Sequence, residues 1–307
     1  MQGRKTGMRT YEKVGLIGLG VMGYGMALNL LKAGYTLVAC DVNQERIKML
    51  PQQEKVIAAE NPAQVLEYTN TVITMLPNSP HVLEVLEGEN GLLTGEIPED
   101  LFLIDMSSIS PDVTREIGRK LEEKGIKFLD GPVSGGQSGA MNGTLTIMVG
   151  GKEEDLQDAM PLFEAVGKNI IHCGQCGAGQ VVKVVNQLMS AINLISLSEA
   201  FTLGTKAGVS PEIMMNVIKG GSGRCWAVED RMPHILEGDF EPGFTIDLHT
   251  KDVKLAVDMA KNMNLPLYAT NLTAELFKTA QVKGYGRKDN CAIIKLYEEL
   301  GGVEVRK

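Results

Sequence analysis

The chain has no surplus of basic residues. Its 30 lysines and arginines stand against 38 aspartates and glutamates, a net charge of −8 at pH 7. No basic stripe is left for nucleic acid, so an anionic substrate has to be held by local groups. The five cysteines are an odd number in a 307-residue chain, which excludes a disulfide framework and fits a reducing, cytoplasmic setting. Cys173 and Cys176 form CGQC without a second pair, so they make no zinc site, and reactivity at Cys176 depends on its exposure. His81, His172, His234 and His249 are scattered, and neither HExxH nor GxSxG occurs; a metal-free site is expected. An arginine cluster suited to a phosphorylated substrate is also missing. Residues 1–11, MQGRKTGMRTY, lack the apolar run of a secretory signal and are expected to be an extension, with Met8 as an alternative start. Residues 177–206 have the length of a membrane span, but Lys183, Asn186, Gln187, Asn193 and Glu199 interrupt them at too high a cost, so no membrane partner is expected.

What the chain does have is centred on that same stretch, GAGQVVKVVNQLMSAINLISLSEAFTLGTK. It reads as one long helix opened by glycines, apolar nearly all round and hence expected to be mostly buried. Lys183, Asn186, Gln187, Ser190 and Asn193 form a narrow polar line along one side. An ammonium removed from water shifts toward the range useful for proton transfer. A lysine snorkelling from a core helix, with Asn and Gln in internal hydrogen bonds, reads equally well from the helix alone.

Residues 14–41 pass from an apolar strand (14–17) through glycines into a helix and then a second strand (36–39), a βαβ unit. Gly18, Gly20 and Gly23, with Leu19, Val21 and Met22 between them, spell GxGxxG in the strand-to-helix setting that binds a dinucleotide pyrophosphate. Asp41, 23 residues past Gly18, would accept from the adenosine ribose hydroxyls and repel a 2′-phosphate. NAD is therefore favoured, although Arg46 nearby leaves NADP possible; Asp41 also suits a helix N-cap. Further strands are expected at 71–75, 102–105, 127–129, 146–149 and 169–172 with helices between, the alternation of a doubly wound α/β sheet. Leu76, Pro77 and Asn78 follow one strand, and Ser107 and Ser108 another, where cofactor ribose and nicotinamide would lie or where plain turn chemistry suffices. Ser134, Gly135 and Gly136, after Asp130 and Pro132, form either a nest of N–H donors for a carboxylate or an ordinary glycine-rich loop.

With GLIGLGVMG near the start, DGPVSGG at 130–136, GAGQVVKVVNQ at 177–187 and KD at 251–252, the chain resembles the β-hydroxyacid dehydrogenase family across residues 14–307. The resemblance implies a Rossmann domain at 12–176 and an all-helical domain at 177–307, joined by the long helix. It implies NAD or NADP as cofactor, a small carboxylate substrate, and a homo-oligomer, dimer or tetramer, which apolar positions in excess of one face in the C-terminal helices also favour. By the same resemblance Lys183 is the catalytic lysine, Ser134 with Gly135 and Gly136 holds the substrate carboxylate, Asn186 orients the substrate, and Lys251 approaches the nicotinamide. Many members carry a second asparagine where this chain has Gln187, a further substrate contact. ITMLPNSPHV, GENG, IDMSS, FTIDLHTKD and LYEELGGVEV resemble the tartronate semialdehyde reductases of the family. SGRCW at 222–226 resembles its 3-hydroxyisobutyrate dehydrogenases, with Trp226 either packing helices or touching substrate. The expected reaction is reduction of tartronate semialdehyde to D-glycerate with Lys183 as proton donor. The alternatives are 3-hydroxyisobutyrate oxidation and a non-catalytic dinucleotide-sensing module, against which Lys183 is the discriminating residue.

Overall fold

The structure is a computed structural model and describes residues 11–307. The extension expected at 1–11, with Met8, lies outside the described residues except for Tyr11, whose hydroxyl donates to the Asp158 carbonyl at 2.8 Å. Two compact units divide the chain, one ending at Lys183 and the other running from Val184 to Lys307.

The first unit is a βα alternation: β1 (Lys13–Ile17), α1 (Val21–Lys32), β2 (Thr36–Cys40), α2 (Gln44–Lys48), β3 (Val56–Ala59), α3 (Pro62–Val65), β4 (Thr71–Thr74), α4 (Ser79–Glu87), β5 (Phe102–Asp105), α5 (Pro111–Glu123) and β6 (Lys127–Asp130). Then come β7 (Val133–Ser134), α6 (Gly136–Asn142), β8 (Leu145–Gly150), α7 (Glu153–Val166) and β9 (Gly167–Gly174). The sheet runs β3-β2-β1-β4-β5-β6-β8-β7, with β9 beside β8. From β3 to β6 all pairings are parallel, whereas β8 is antiparallel to β6 and β7. Side-chain alternation explains why helices cover both faces. Val14 and Leu16 of β1, Leu37 and Ala39 of β2, and Phe102 and Ile104 of β5 join a core with α1 and α7. Their neighbours Ile17, Val38, Cys40 and Leu103 join a second core with α4 and α5. Strands buried on both sides read as continuous apolar runs, which makes them easy to find in the sequence. Two strands were not expected. β3 is a partly exposed sheet edge, and β7 is two residues long within the glycine-rich stretch.

Chain order reverses at β1, which has β2 on one side and β4 on the other. Such a switch point opens a crevice beyond the strand carboxyl ends. There the Gly18 amide donates to the Cys40 carbonyl and the Met75 amide to the Ile17 carbonyl, both at 2.9 Å.

Helix α8 (Ala178–Lys206) begins in the first unit and continues into the second. The rest of the second unit is helical: α9 (Pro211–Gly220), α10 (Met232–Glu237), α11 (Ile246–Asn262), α12 (Tyr268–Val282) and α13 (Ile294–Gly301), with a π-helical turn at Ala227–Arg231 before α10. Its core gathers Leu194 and Phe201 of α8 with Ile235, Val253, Phe277 and Ile294. The expectation that α8 is mostly buried needs correction. Val182, Val185, Met189 and Leu203 are 40%, 49%, 57% and 72% exposed. Hydropathy around the wheel does not tell which apolar side a single chain covers, and this chain covers one.

Candidate functional site

The glycines of the βα turn are each used differently. Gly18 has φ +96°, a conformation that side chains disfavour, and a Cβ at Gly23 would collide with the Gly18 carbonyl oxygen. At Gly20 a Cβ would meet only the Arg46 guanidinium, at 3.9 Å, so the backbone stands open at the start of α1. These are the conditions for a pyrophosphate at a helix N-terminus, and the residues present fit a dinucleotide there. Asp41 follows β2. Its carboxylate accepts from the Leu19 amide at 2.6 Å and the Asn43 amide at 2.7 Å, while Arg46 donates to the Leu19 carbonyl at 2.6 Å. The side chain that caps α2 is Asn43, not Asp41. Leu19 and Gly23 are buried, Val21 is exposed and Met22 is half-buried along the same turn.

At the next strand ends, Leu76 and Ser108 are half-buried and Pro77 is exposed. The Leu76 amide donates to the buried Ser107 hydroxyl at 2.8 Å, joining the ends of β4 and β5. Asn78 caps α4. Ser134 lies opposite Thr146 in the β7–β8 register; Gly135 (φ +133°) and Gly136 (φ +60°) then turn the chain into α6. A Cβ at Gly136 would meet nothing within 4 Å, so its backbone is accessible.

Lys183 is only 7% exposed, in the second turn of α8. The helix start is held from β6: the Asp130 carboxylate accepts the Gly177 amide at 2.7 Å and the Gln180 amide at 3.0 Å. Burial pushes the Asp130 carboxyl upward, opposed by these amides. One turn beyond Lys183, Asn186 is exposed and its amide donates to the Gln187 side chain at 3.2 Å. Gln187 in turn donates to the buried Asp252 at 2.7 Å, and the Lys251 ammonium lies 3.2 Å from the same carboxylate. The amide of Gln187 is thus engaged inside the second unit.

Residues the sequence did not single out complete these networks. They are Asp105, Gln180, Asp252 in its bonding role, and His249, whose Nε2 meets the Gln187 carbonyl at 3.1 Å. Asp105 ends an expected strand and Gln180 sits inside GAGQ, but their partners come from distant segments. Cys176 is half-buried, and burial together with the Asp130 charge pushes its thiol up to about 12, which disfavours the thiolate. Trp226 is 53% exposed with the Arg231 guanidinium 5.0 Å over its ring. Among the described residues no group of three or more His, Cys, Asp or Glu side chains is placed to hold a metal ion.

Residues 13–174 match the family described as the NAD binding domain of 6-phosphogluconate dehydrogenase, and 177–297 that described as NAD-binding of NADP-dependent 3-hydroxyisobutyrate dehydrogenase. The 2-(hydroxymethyl)glutarate dehydrogenase of Eubacterium barkeri is 42% identical over 294 residues, 95% of this chain and 97% of that protein. The chain belongs to the β-hydroxyacid dehydrogenase family. As a β-hydroxyacid dehydrogenase it is an NAD(P)-dependent oxidoreductase acting on a β-hydroxyacid. Within the family, the 2-hydroxy-3-oxopropionate reductase of Escherichia coli (strain K12) is 39% identical, covering 93% of this chain and 97% of that one. A solved Mycobacterium tuberculosis 3-hydroxyisobutyrate dehydrogenase with L-serine superposes with a TM-score of 0.84 at 32% identity, over 94% of this chain and 99% of that one.

Proposed function

We propose that the chain reduces a 3-oxo acid to its primary alcohol, with Lys183 as proton donor. The observation that carries this reading is a buried lysine on a helix whose first turn is fastened to a buried carboxylate. When bound, the nicotinamide supplies the hydride. The Lys183 ammonium stabilises the carbonyl oxygen as it gathers negative charge and gives it a proton; in the oxidative direction the roles reverse. The amides at Ser134, Gly135 and Gly136 hold the carboxylate, and Asn186 orients the substrate. Asp41 favours NADH over NADPH. The exposed apolar strip of α8 is the surface we assign to self-association in a dimer or tetramer.

The compounds named for the relatives share one skeleton, a carboxylate and a CH2OH or CHO group on the same carbon. They differ in the third substituent: carboxyethyl, methyl or hydroxyl. We take tartronate semialdehyde, the hydroxyl case, as the substrate. The 42% identity to 2-(hydroxymethyl)glutarate dehydrogenase supports a second reading, in which the substituent is carboxyethyl.

The test is NADH-dependent reduction of tartronate semialdehyde, methylmalonate semialdehyde and 2-formylglutarate side by side, by wild type and Lys183→Ala. A site that hydrogen-bonds the substrate hydroxyl discriminates strongly against methyl. Lys183→Ala is expected to lower kcat by roughly 10²–10⁴-fold with NADH affinity kept. Near-normal turnover would remove the lysine from the mechanism. NADH binding without turnover of any acid would favour the non-catalytic module.

A further inference from the structure

Gln180 is completely buried three residues before Lys183, and every polar group of its side chain is engaged. Its Oε1 accepts the Ile109 amide at 3.1 Å, and its Nε2 donates to the Ser107 carbonyl at 2.8 Å. Its own backbone amide goes to Asp130. The two residues it grips flank Ser108, and Ser107 also receives the Leu76 amide on its hydroxyl. Leu76 and Ser108 are the residues assigned to the cofactor, and Lys183 is the proposed proton donor. A single amide side chain therefore ties the β5 end to the turn of α8 that precedes the lysine.

Backbone packing leaves the helix start little freedom of its own. A Cβ at Gly179 would collide with the Met148 carbonyl and crowd the Asp130 carboxylate, so α8 is seated directly against β8 and β6. The loop at 107–109 after β5 is joined to α8 through the Gln180 side chain. Hydride and proton must reach one carbonyl from two separate groups, and a displacement of about 1 Å can cost on the order of 10²-fold in rate.

We propose that Gln180 is a positioning residue that sets the register between Lys183 and the cofactor-side loop 107–109. The inference rests on the catalytic reading of Lys183 given above. The acids in the same network are Asp105, which accepts the Ser107 amide, and Asp130; both oppose a further negative charge, and Lys183 stands one turn along the helix.

The test uses full-length Gln180→Glu and Gln180→Asn, with kcat for carbonyl reduction measured from about pH 5.5 to about pH 8.5 and NADH affinity followed by fluorescence. An ionised carboxylate at 180 faces the Ser107 carbonyl without a proton to give, whereas the protonated acid restores the donor. Gln180→Glu should therefore fall about tenfold or more below wild type at high pH, the loss expected of one buried hydrogen bond, and recover as pH drops. Gln180→Asn, too short to reach, should show a deficit in kcat that is flat with pH. Wild-type kcat in both variants, or the same pH-independent deficit in both, would overturn the proposal. If Gln180→Glu does not fold, wild-type kcat in Gln180→Asn overturns it alone. Lys183→Ala run alongside separates the two claims: if it retains turnover, the catalytic reading fails, and unchanged NADH affinity in both Gln180 variants then overturns the tether as well. If Lys183→Ala is inactive and the Gln180 variants are not impaired, only the inference about Gln180 fails.

Discussion

Asp105 and Asp130 stand opposite each other in the β5–β6 register, each the last residue of its strand and each with a buried carboxyl group. Their surroundings differ. Asp130 receives two amides from the start of α8, where the helix dipole also favours negative charge. Asp105 accepts the Thr74 hydroxyl at 2.8 Å and the Ser107 amide at 3.1 Å on Oδ1, while Oδ2 is buried with no hydrogen-bond partner. Burial pushes Asp105 up to about 6 against its hydrogen bonds, and the neighbouring Asp130 adds to the rise.

This pair predicts a pH dependence of stability. A carboxyl whose folded pKa lies above its unfolded value binds its proton more tightly when folded. Its contribution to stability therefore falls as pH rises from about 4 through about 6, then levels off. The displacement from 3.8 to about 6 corresponds to on the order of 3 kcal/mol. Asp105→Asn abolishes the titration. The unfolding free energy of wild type minus that of Asp105→Asn, from denaturant titrations, should decline by that order between about pH 4 and about pH 7. A difference constant with pH would mean that Asp105 is charged without penalty in the fold.

The nucleotide-binding half was legible because its signals are local. Gly18 needs its positive φ, Gly23 its missing Cβ, and strands such as β5 are apolar on both faces. β7 was hidden because two residues carry no periodicity, and the capping of α2 by Asn43 was obscured by Asp41 two residues earlier. Gln180 and Asp105 were illegible for a deeper reason. Their roles depend on partners some 70 and 30 residues away that only the sheet topology brings near. The polar line on α8 was found, but the line alone does not say that Gln187 faces Asp252 while Asn186 is exposed.

The proposed preference for NADH rests on Asp41. Its carboxylate braces the Leu19 and Asn43 amides, and Arg46 approaches the same turn through the Leu19 carbonyl. Asp41→Ser keeps a small acceptor at that position and removes the charge that would repel a 2′-phosphate, leaving Arg46 to attract it. The ratio of kcat/KM for NADPH to that for NADH should rise by about tenfold or more. Adding Arg46→Ala should take back most of the gain. An unchanged ratio in Asp41→Ser would show that the ribose is recognised elsewhere.

If Asn186 orients the substrate as proposed, Gln187 joins stability to substrate binding. It donates to the buried Asp252, accepts from Asn186, and through its carbonyl meets Nε2 of His249, whose Nδ1 faces the Asn290 amide at 3.1 Å. A carbonyl oxygen can only accept, so Nε2 of His249 donates to the main chain of Gln187 and not to its side chain. Gln187→Leu keeps this backbone bond and deletes the side-chain ones, leaving Asp252 short of a donor at a cost of about 1–3 kcal/mol in unfolding free energy. Asn186 loses the acceptor that orients it, so KM for the carbonyl substrate should rise by about tenfold while NADH affinity holds. Lower stability with an unchanged KM would make Gln187 a tie between α8 and α11 and nothing more, and would leave Asn186 to orient itself.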